Sequence, residues 1–278
     1  AGPGETMDYT WYAGRLDFEQ DARRPSVWRV KRFPEEFGTI NLNSYGDIIK
    51  HGAQGLVGAL IIEPEKAEVT VDPDTNTVAT VRYPKDPSNP SLGWETFKEF
   101  VLVYQDGLNL LQAGADIASC HICDDVYDRG EAAFNYRTEP FATRLAAGGN
   151  MVPLPGEGGG LSDDTNASQY PADFFMSSYK NIETPVFRAK PTDRVRMRVL
   201  QPHGRSRQHT FLVYGHDYDD YGMHGFGTPH SSLISVGKGI TAELLATHEG
   251  TWLYRSGANM HFARGMWGQL VVESQPTP

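Results

Sequence analysis

Short runs in which apolar and polar residues alternate dominate this chain, and no stretch shows long amphipathic helical periodicity. Period-two alternation is the pattern of half-buried strands. It predicts strands in MDYTWYAG (7–14), in TPVFRAKPTDRVRMRVLQP (184–202), and in HTFLVYGH, SSLISV, ITAELLAT, GTWLYRS and GQLVVES, which follow at the short spacing of a β-sandwich. GLVGALII (55–62) is continuously apolar and suits a buried strand, and KEFVLVYQDGLNLL (98–111) opens a second unit as another. Residues 15–37 are charged and irregular and read as a surface loop. DPDTN and YPKDPSNPSLG mark 65–96 as a linker with one short hairpin. Residues 112–183 are loop-rich, with GGNMVPLPGEGGG a mobile tip and DDVYDRGEAAF a short helix. The pattern predicts an all-β protein.

Composition narrows the function classes. The 278 residues are 39% hydrophobic and 22% charged, enough apolar material for a buried core and too much for wholesale disorder. No run approaches the roughly 18 apolar residues of a membrane helix. A net charge of −10 leaves no basic excess to displace counterions from a phosphate backbone, so nucleic acid is not an expected partner. The start, AGPGETMD, has no signal-peptide pattern, which leaves a removed leader or a start partway through something longer. Cys120 and Cys123 form the motif CHIC, open to a tight local disulfide, an inert pair, a redox pair, or half of a metal site. The sequon at Asn166 matters only in a eukaryotic secretory setting.

The chain repeats itself. Gly38-Thr39 is followed by Ser44, His51, Gly55-Leu56, Gly58 and LIIE at 60–63. Gly250-Thr251 is followed by Ser256, His261, Gly265-Met266, Gly268 and LVVE at 270–273. From the histidine onward HGAQGLVGALIIE aligns with HFARGMWGQLVVE without a gap.

These residues carry a family resemblance. A strand end, a histidine, four residues, a methionine and a glycine-containing apolar strand resemble the copper-binding end of a multicopper oxidase. The resemblance implies cupredoxin-like Greek-key β-sandwich domains. PGETMDYTWYAG, GDIIKHGAQGLVGALIIEP, CDDVYDRGEAAFNYRTEP and FRAKPTDRVRMRVL are similar to the wording of large multi-domain, manganese-oxidase-like members. A blue copper centre takes two imidazoles, a thiolate and a weak axial thioether. In the family's spacing His209 and His261 hold the imidazole positions and Met266 the thioether position, while Ser256 stands where the thiolate belongs. Arg255 and Gly257, with Leu212 and Tyr214, replace histidines of the family's three-copper cluster. In the first unit only His51 remains; Ser44 replaces the thiolate and Leu56 the thioether.

The chain has nine histidines and no HxH pair, whereas the family's oxygen-reducing cluster takes eight histidines in such pairs. No catalytic residue is therefore assigned. Copper is implied at a residual site of His209, His261, Met266 and His51, or on a partner chain. Neither a phosphate loop nor a GxSxG motif occurs. His216, His224 and His230, beside Asp217, Asp219 and Asp220, form a second histidine concentration that suits a surface metal site or a polar loop at the sandwich mouth. Asp124, Asp125 and Asp128 suit a hard cation or a solvated cluster, and 135–139 reads as a structural corner.

The resemblance divides the chain into the C-terminal half of a cupredoxin domain (1–66), a linker (67–96) and a complete domain with a degraded blue-copper site (97–278). Half a sandwich exposes strand edges and an apolar face, so the expectation is a second polypeptide that supplies the missing N-terminal strands. An extracytoplasmic location, periplasmic or secreted, is implied by the family alone.

Overall fold

The computed structural model describes residues 2–12, 14–33, 36, 38–47, 50–53, 55–74, 76–108, 111–112, 115–116, 131–134, 186–204, 208–220, 229–258, 261–262 and 265–274. Cys120, Cys123, Asp124, Asp125, Asp128, residues 135–139, the tip at 148–160, Asn166 and His224 lie outside the described residues.

In chain order the strands are β1 (Arg15–Asp21), β2 (Arg24–Phe33), β3 (Gly38–Asn43), β4 (Val57–Ile62), β5 (Glu68–Val71), β6 (Val78–Pro84), β7 (Trp94–Leu108), β8 (Leu111–Gln112), β9 (Ala115–Asp116), β10 (Glu131–Phe134), β11 (Val186–Ala189), β12 (Arg194–Leu200), β13 (His209–Val213), β14 (Asp219–Asp220), β15 (Ser231–Ile234), β16 (Gly239–Leu245), β17 (Gly250–Ser256) and β18 (Trp267–Val272). One helical turn, α1 (Lys50–Ala53), lies between β3 and β4.

Two sheets make the sandwich. The larger runs β14-β16-β12-β7-β6-β5, with β10 also paired to β7; the smaller runs β11-β18-β17-β13-β15. Alternation along each strand sends one set of side chains between the sheets. Phe100, Leu102, Val195, Met197, Val199 and Ala242 from the larger sheet meet Phe187, Phe211, Ile234, Tyr254 and Leu270 from the smaller. Phe187 ties the layers: its ring stacks on Phe100 at 4.4 Å and on Tyr254 at 5.3 Å.

Three expectations from the pattern change. First, 15–37 is not simply a loop, because 15–33 is a hairpin, whereas 7–12 holds no strand. The register puts Leu16, Phe18, Trp28 and Val30 on one face, and Asp17, Glu19, Asp21, Arg29 and Lys31 on the other. The charges that suggested a loop are the outer face of an amphipathic ribbon, where Lys31 pairs with Glu19 and Arg29 with Asp21. The four apolar side chains are 45% to 64% exposed. Second, the hairpin expected within 65–96 exists as β5–β6, but it is no free tether, since β6 pairs along its length with β7 and extends the larger sheet. Third, 131–134, expected within a helix, is strand β10, because it pairs with β7 along Tyr104–Leu108.

The internal repeat is reproduced bond for bond. β3 and β4 pair from Gly38↔Ile62 to Asn43↔Val57, and β17 and β18 pair from Gly250↔Val272 to Arg255↔Trp267. Leu56 N–H donates to His51 O at 2.8 Å, and Met266 N–H to His261 O at 3.0 Å. The next turn repeats as well, Gly55 to Gly52 at 3.0 Å and Gly265 to Phe262 at 3.1 Å. Gly55 and Gly265 have φ of 85° and 113°, backbone that side chains other than hydrogen rarely adopt.

The copies differ in what covers the matched glycines. Gly268 faces Tyr254, and a Cβ there would lie 2.2 Å from the Tyr254 hydroxyl oxygen. Gly58 faces Leu42, whose nearest atom would be 3.7 Å away. Gly268→Ala is therefore expected to lower unfolding free energy by about 2 kcal/mol or more through overpacking. Gly58→Ala should stay within about 0.5 kcal/mol. Urea unfolding of the two variants checks the contrast.

Candidate functional site

The second copy of the repeat closes a pocket between β13, β17 and the turn before β18. Ser256 ends β17, and its N–H donates to Met266 O at 3.0 Å, which draws the turn back onto the strand. His209 opens β13, beside β17 in the same sheet. His209, Ser256, His261 and Met266 are all buried, Met266 and Ser256 completely. The structure brings the His209 and His261 side chains into contact and ties Met266 to Ser256 and to His261 through the backbone.

Their polar atoms are arranged as a chain. His209 Nδ1 lies 3.0 Å from His261 Nδ1, and His209 Nε2 lies 2.7 Å from Asp106 Oδ2. With Nε2–H donating to the Asp106 carboxylate, a neutral His209 presents the Nδ1 lone pair, and His261 Nδ1–H donates to it. Ser256 Oγ is buried without a hydrogen-bond partner. Next to it Arg255 donates to Ser256 O at 2.8 Å and to Gly257 O at 2.7 Å, and its guanidinium lies 4.1 Å from the Phe262 ring centre. Burial holds the Arg255 pKa below the ordinary guanidinium value.

In the first copy the serine and histidine pair directly: Ser44 Oγ lies 2.8 Å from His51 Nδ1. His51 therefore belongs to a separate, local contact and does not join His209, His261 and Met266. The contrast explains the orphaned Ser256 hydroxyl, since His261 turns its Nδ1 to His209.

Copper fits this donor set in part. Two imidazole nitrogens bound at about 2.0 Å to one metal at a near-right angle sit about 3 Å apart. The 3.0 Å separation of the two Nδ1 atoms matches this, once His261 shifts its proton to Nε2. Asp106 supplies the carboxylate that commonly orients a ligating imidazole from behind. A neutral serine hydroxyl does not replace a thiolate, because it neither balances metal charge nor offers a soft donor. The pocket therefore suits Cu(I) or weakly held Cu(II), and does not suit a blue electron-transfer centre.

Sequence reasoning missed Asp106. Its signal is a lone carboxylate near the end of the apolar run FVLVYQD, which β7 delivers to the pocket. The second histidine concentration separates in space. His230 pairs with Asp217 at 2.7 Å on the surface, whereas His216 turns inward against Trp252 and His248. Burial, reinforced by His248 and opposed by the Tyr214 carbonyl, holds His216 below the usual histidine range. Among the described residues no group of three or more His, Cys, Asp or Glu side chains is placed to hold a metal, and no helix is long and apolar enough to cross a membrane.

A second cluster ties the segment around the β3–β4 hairpin to the larger sheet. Arg194, Arg196 and Arg198 alternate with the core residues of β12 and point to its other face. The sequence pattern predicts that face to be exposed, yet Arg196 and Arg198 are buried. Arg196 binds Glu36 at 2.5 Å and Glu243 at 2.6 Å. Arg198 binds Glu99 at 2.7 Å and Glu63 at 3.1 Å, and Arg194 binds Glu95 and Glu243, each at 2.6 Å. Glu36 and Glu63 flank β3 and β4, so the β3–β4 hairpin covers the arginine face through hydrogen bonds donated by Arg196 and Arg198.

No family profile matches the chain. No curated protein matches it in sequence either. Solved structures do match. A copper nitrite reductase from Nitrosomonas europaea is 15% identical over 94% of this chain and 75% of its own, with a TM-score of 0.50. A blue copper oxidase from Nitrosomonas europaea is 16% identical over 90% of this chain, TM-score 0.46, and a multicopper oxidase is 15% identical over 94% of this chain and 70% of its own, TM-score 0.48. The chain spans 60% of the length of that blue copper oxidase. What is shared at these identities is the fold: the chain is an all-β protein with a cupredoxin-like β-sandwich.

Proposed function

We propose that the chain is a segment or subunit of a multicopper-oxidase-like assembly, and that its own pocket is a hydrogen-bonded remnant of a blue-copper site that relays no electrons. The observation behind this reading is the Asp106–His209–His261 chain beside a buried, unpartnered Ser256 hydroxyl. The protein groups bond to one another, and the one position that would have to carry charge holds a neutral oxygen. Copper that does chemistry then sits on other parts of the assembly.

The exposed apolar face of the β1–β2 ribbon supports the subunit reading. Leu16, Phe18, Trp28 and Val30 form a row on one face of a two-stranded sheet, and such sheets are marginal alone in water. Strands of a second polypeptide laid over that row would complete a sandwich. A periplasmic or secreted setting accords with copper chemistry of this kind.

A second reading, weak copper binding through His209, His261 and Met266, is favoured by the facing Nδ1 atoms. Titration of Cu(I) and Cu(II) into the purified chain separates the two. The remnant reading expects no binding tighter than high micromolar. Sub-micromolar copper held through His209 would replace it with the copper-carrier reading. Metal content and oxidase activity of the natural assembly test the rest: an assembly without copper would make the chain a non-catalytic scaffold.

A further inference from the structure

A different pair of histidines lies beside Trp252, which stands four residues back along β17 from Ser256, about 13 Å by strand rise. His216 follows β13 and is 7% exposed. Its Nδ1 lies 3.3 Å from Tyr214 O, which fixes the proton on Nδ1 and the lone pair on Nε2. That Nε2 is buried and has no hydrogen-bond partner. Leaving such an atom unpaired costs about 1–3 kcal/mol, so its orientation calls for an occupant. His248 is exposed; its Nδ1 is taken by Thr247 Oγ1 at 2.9 Å, which leaves its Nε2 as the open nitrogen. The loop is pinned by Trp252, whose Nε1–H donates to His248 O at 2.8 Å.

The ring centres of His216 and His248 are 5.7 Å apart, with planes at 72°. An imidazole bound at about 2.0 Å places its ring centre about 3 Å from the metal, so two imidazoles sharing one metal hold their centres about 5–6 Å apart. The observed spacing falls in that range. Trp252 stands perpendicular to His216 at 5.5 Å and walls the inner side, while the exposed His248 leaves the outer side to water.

We propose that His216 and His248 form a two-imidazole site for a borderline transition-metal dication such as Zn²⁺ or Cu²⁺, with water completing the coordination, separate from the His209–His261 pocket. Nitrogen donors without carboxylates favour such ions over Ca²⁺ or Mg²⁺. The backbone carbonyl behind His216 is of the kind that sets ligand orientation in built metal sites.

Isothermal titration of Zn²⁺ into the full chain tests this, with His248→Ala, His216→Gln and His261→Gln alongside. His248 is on the surface, so its alanine variant should keep the wild-type circular dichroism spectrum and still weaken zinc binding at least about tenfold. His216→Gln should do the same, and His261→Gln should retain the zinc. Absence of zinc binding in the wild type, or zinc bound equally by His248→Ala, overturns the proposal. Zinc lost only in His261→Gln assigns it to the other pocket and overturns the proposal equally.

Discussion

Ser256→Cys is expected to turn the protein intensely blue on addition of Cu(II), where the wild type stays colourless. The substitution exchanges a buried, unpartnered hydroxyl for a thiol of similar size, which removes an unsatisfied polar group. Positions 209, 256, 261 and 266 then carry two imidazoles, a thiolate and a thioether, the set that defines blue copper. The two Nδ1 atoms already lie 3.0 Å apart and His209 is already braced by Asp106. Copper affinity should rise on the order of a hundredfold over wild type, about 3 kcal/mol. Visible absorption and electron paramagnetic resonance of the copper-loaded variant check both outcomes. A Ser256→Cys protein that folds and binds Cu(II) without the thiolate band would mean that residue 256, the two imidazoles and Met266 do not share a centre, and the remnant reading would fail.

Much of this pocket was legible because the repeat encodes it locally. The offsets from His261 to Met266 and from Gly265 to Gly268 set one helical turn, one positive-φ glycine and one strand start, and no distant residue is needed to read them. Asp106 was not legible, because it reaches His209 across 103 positions of sequence and only sheet stacking brings them together. The arginines failed to read as buried for a related reason. RVRMRV alternates like any half-exposed strand, and its polar face is covered by carboxylates that flank the β3–β4 hairpin, 135 to 160 positions away. In the β1–β2 ribbon the density of charge masks the alternation. Its pairing register shows that the charges and the apolar residues occupy opposite faces.

The arginine face also sets how stability should respond to pH. Five carboxyls, Glu36, Glu63, Glu95, Glu99 and Glu243, surround the three guanidiniums of Arg194, Arg196 and Arg198. The excess of acid favours the protonated form of Glu63. Burial and a side-chain hydrogen bond to Glu99, against the pull of Arg198 and with added repulsion from Glu99 and Glu36, push its pKa up to about 8. A carboxyl raised in the folded state binds a proton that the unfolded chain has already lost, so its contribution is full below about pH 4.3 and declines until the pH passes about 8. Glu95, held low chiefly by the Tyr83 hydroxyl and by Arg194, and Glu243, whose burial is outweighed by Arg194 and Arg196, act oppositely and lose their contribution as acid protonates them. Stability should therefore peak in mildly acidic solution and fall from about pH 5 to about pH 8. Glu63→Gln keeps the neutral form at every pH. It should unfold within about 1 kcal/mol of wild type at pH 5 and be more stable at pH 8.5 by on the order of 2–4 kcal/mol. Because Glu63 directly follows β4 and Arg198 lies in β12, the loss at high pH should appear first as release of the β3–β4 hairpin, seen as faster amide exchange along 38–43 and 57–62 than in the β12–β16 ladder. A wild-type profile flat between pH 5 and pH 8, or a Glu63→Gln protein weakened at pH 8.5, would show that the carboxylates across this interface are all ionised and compensated.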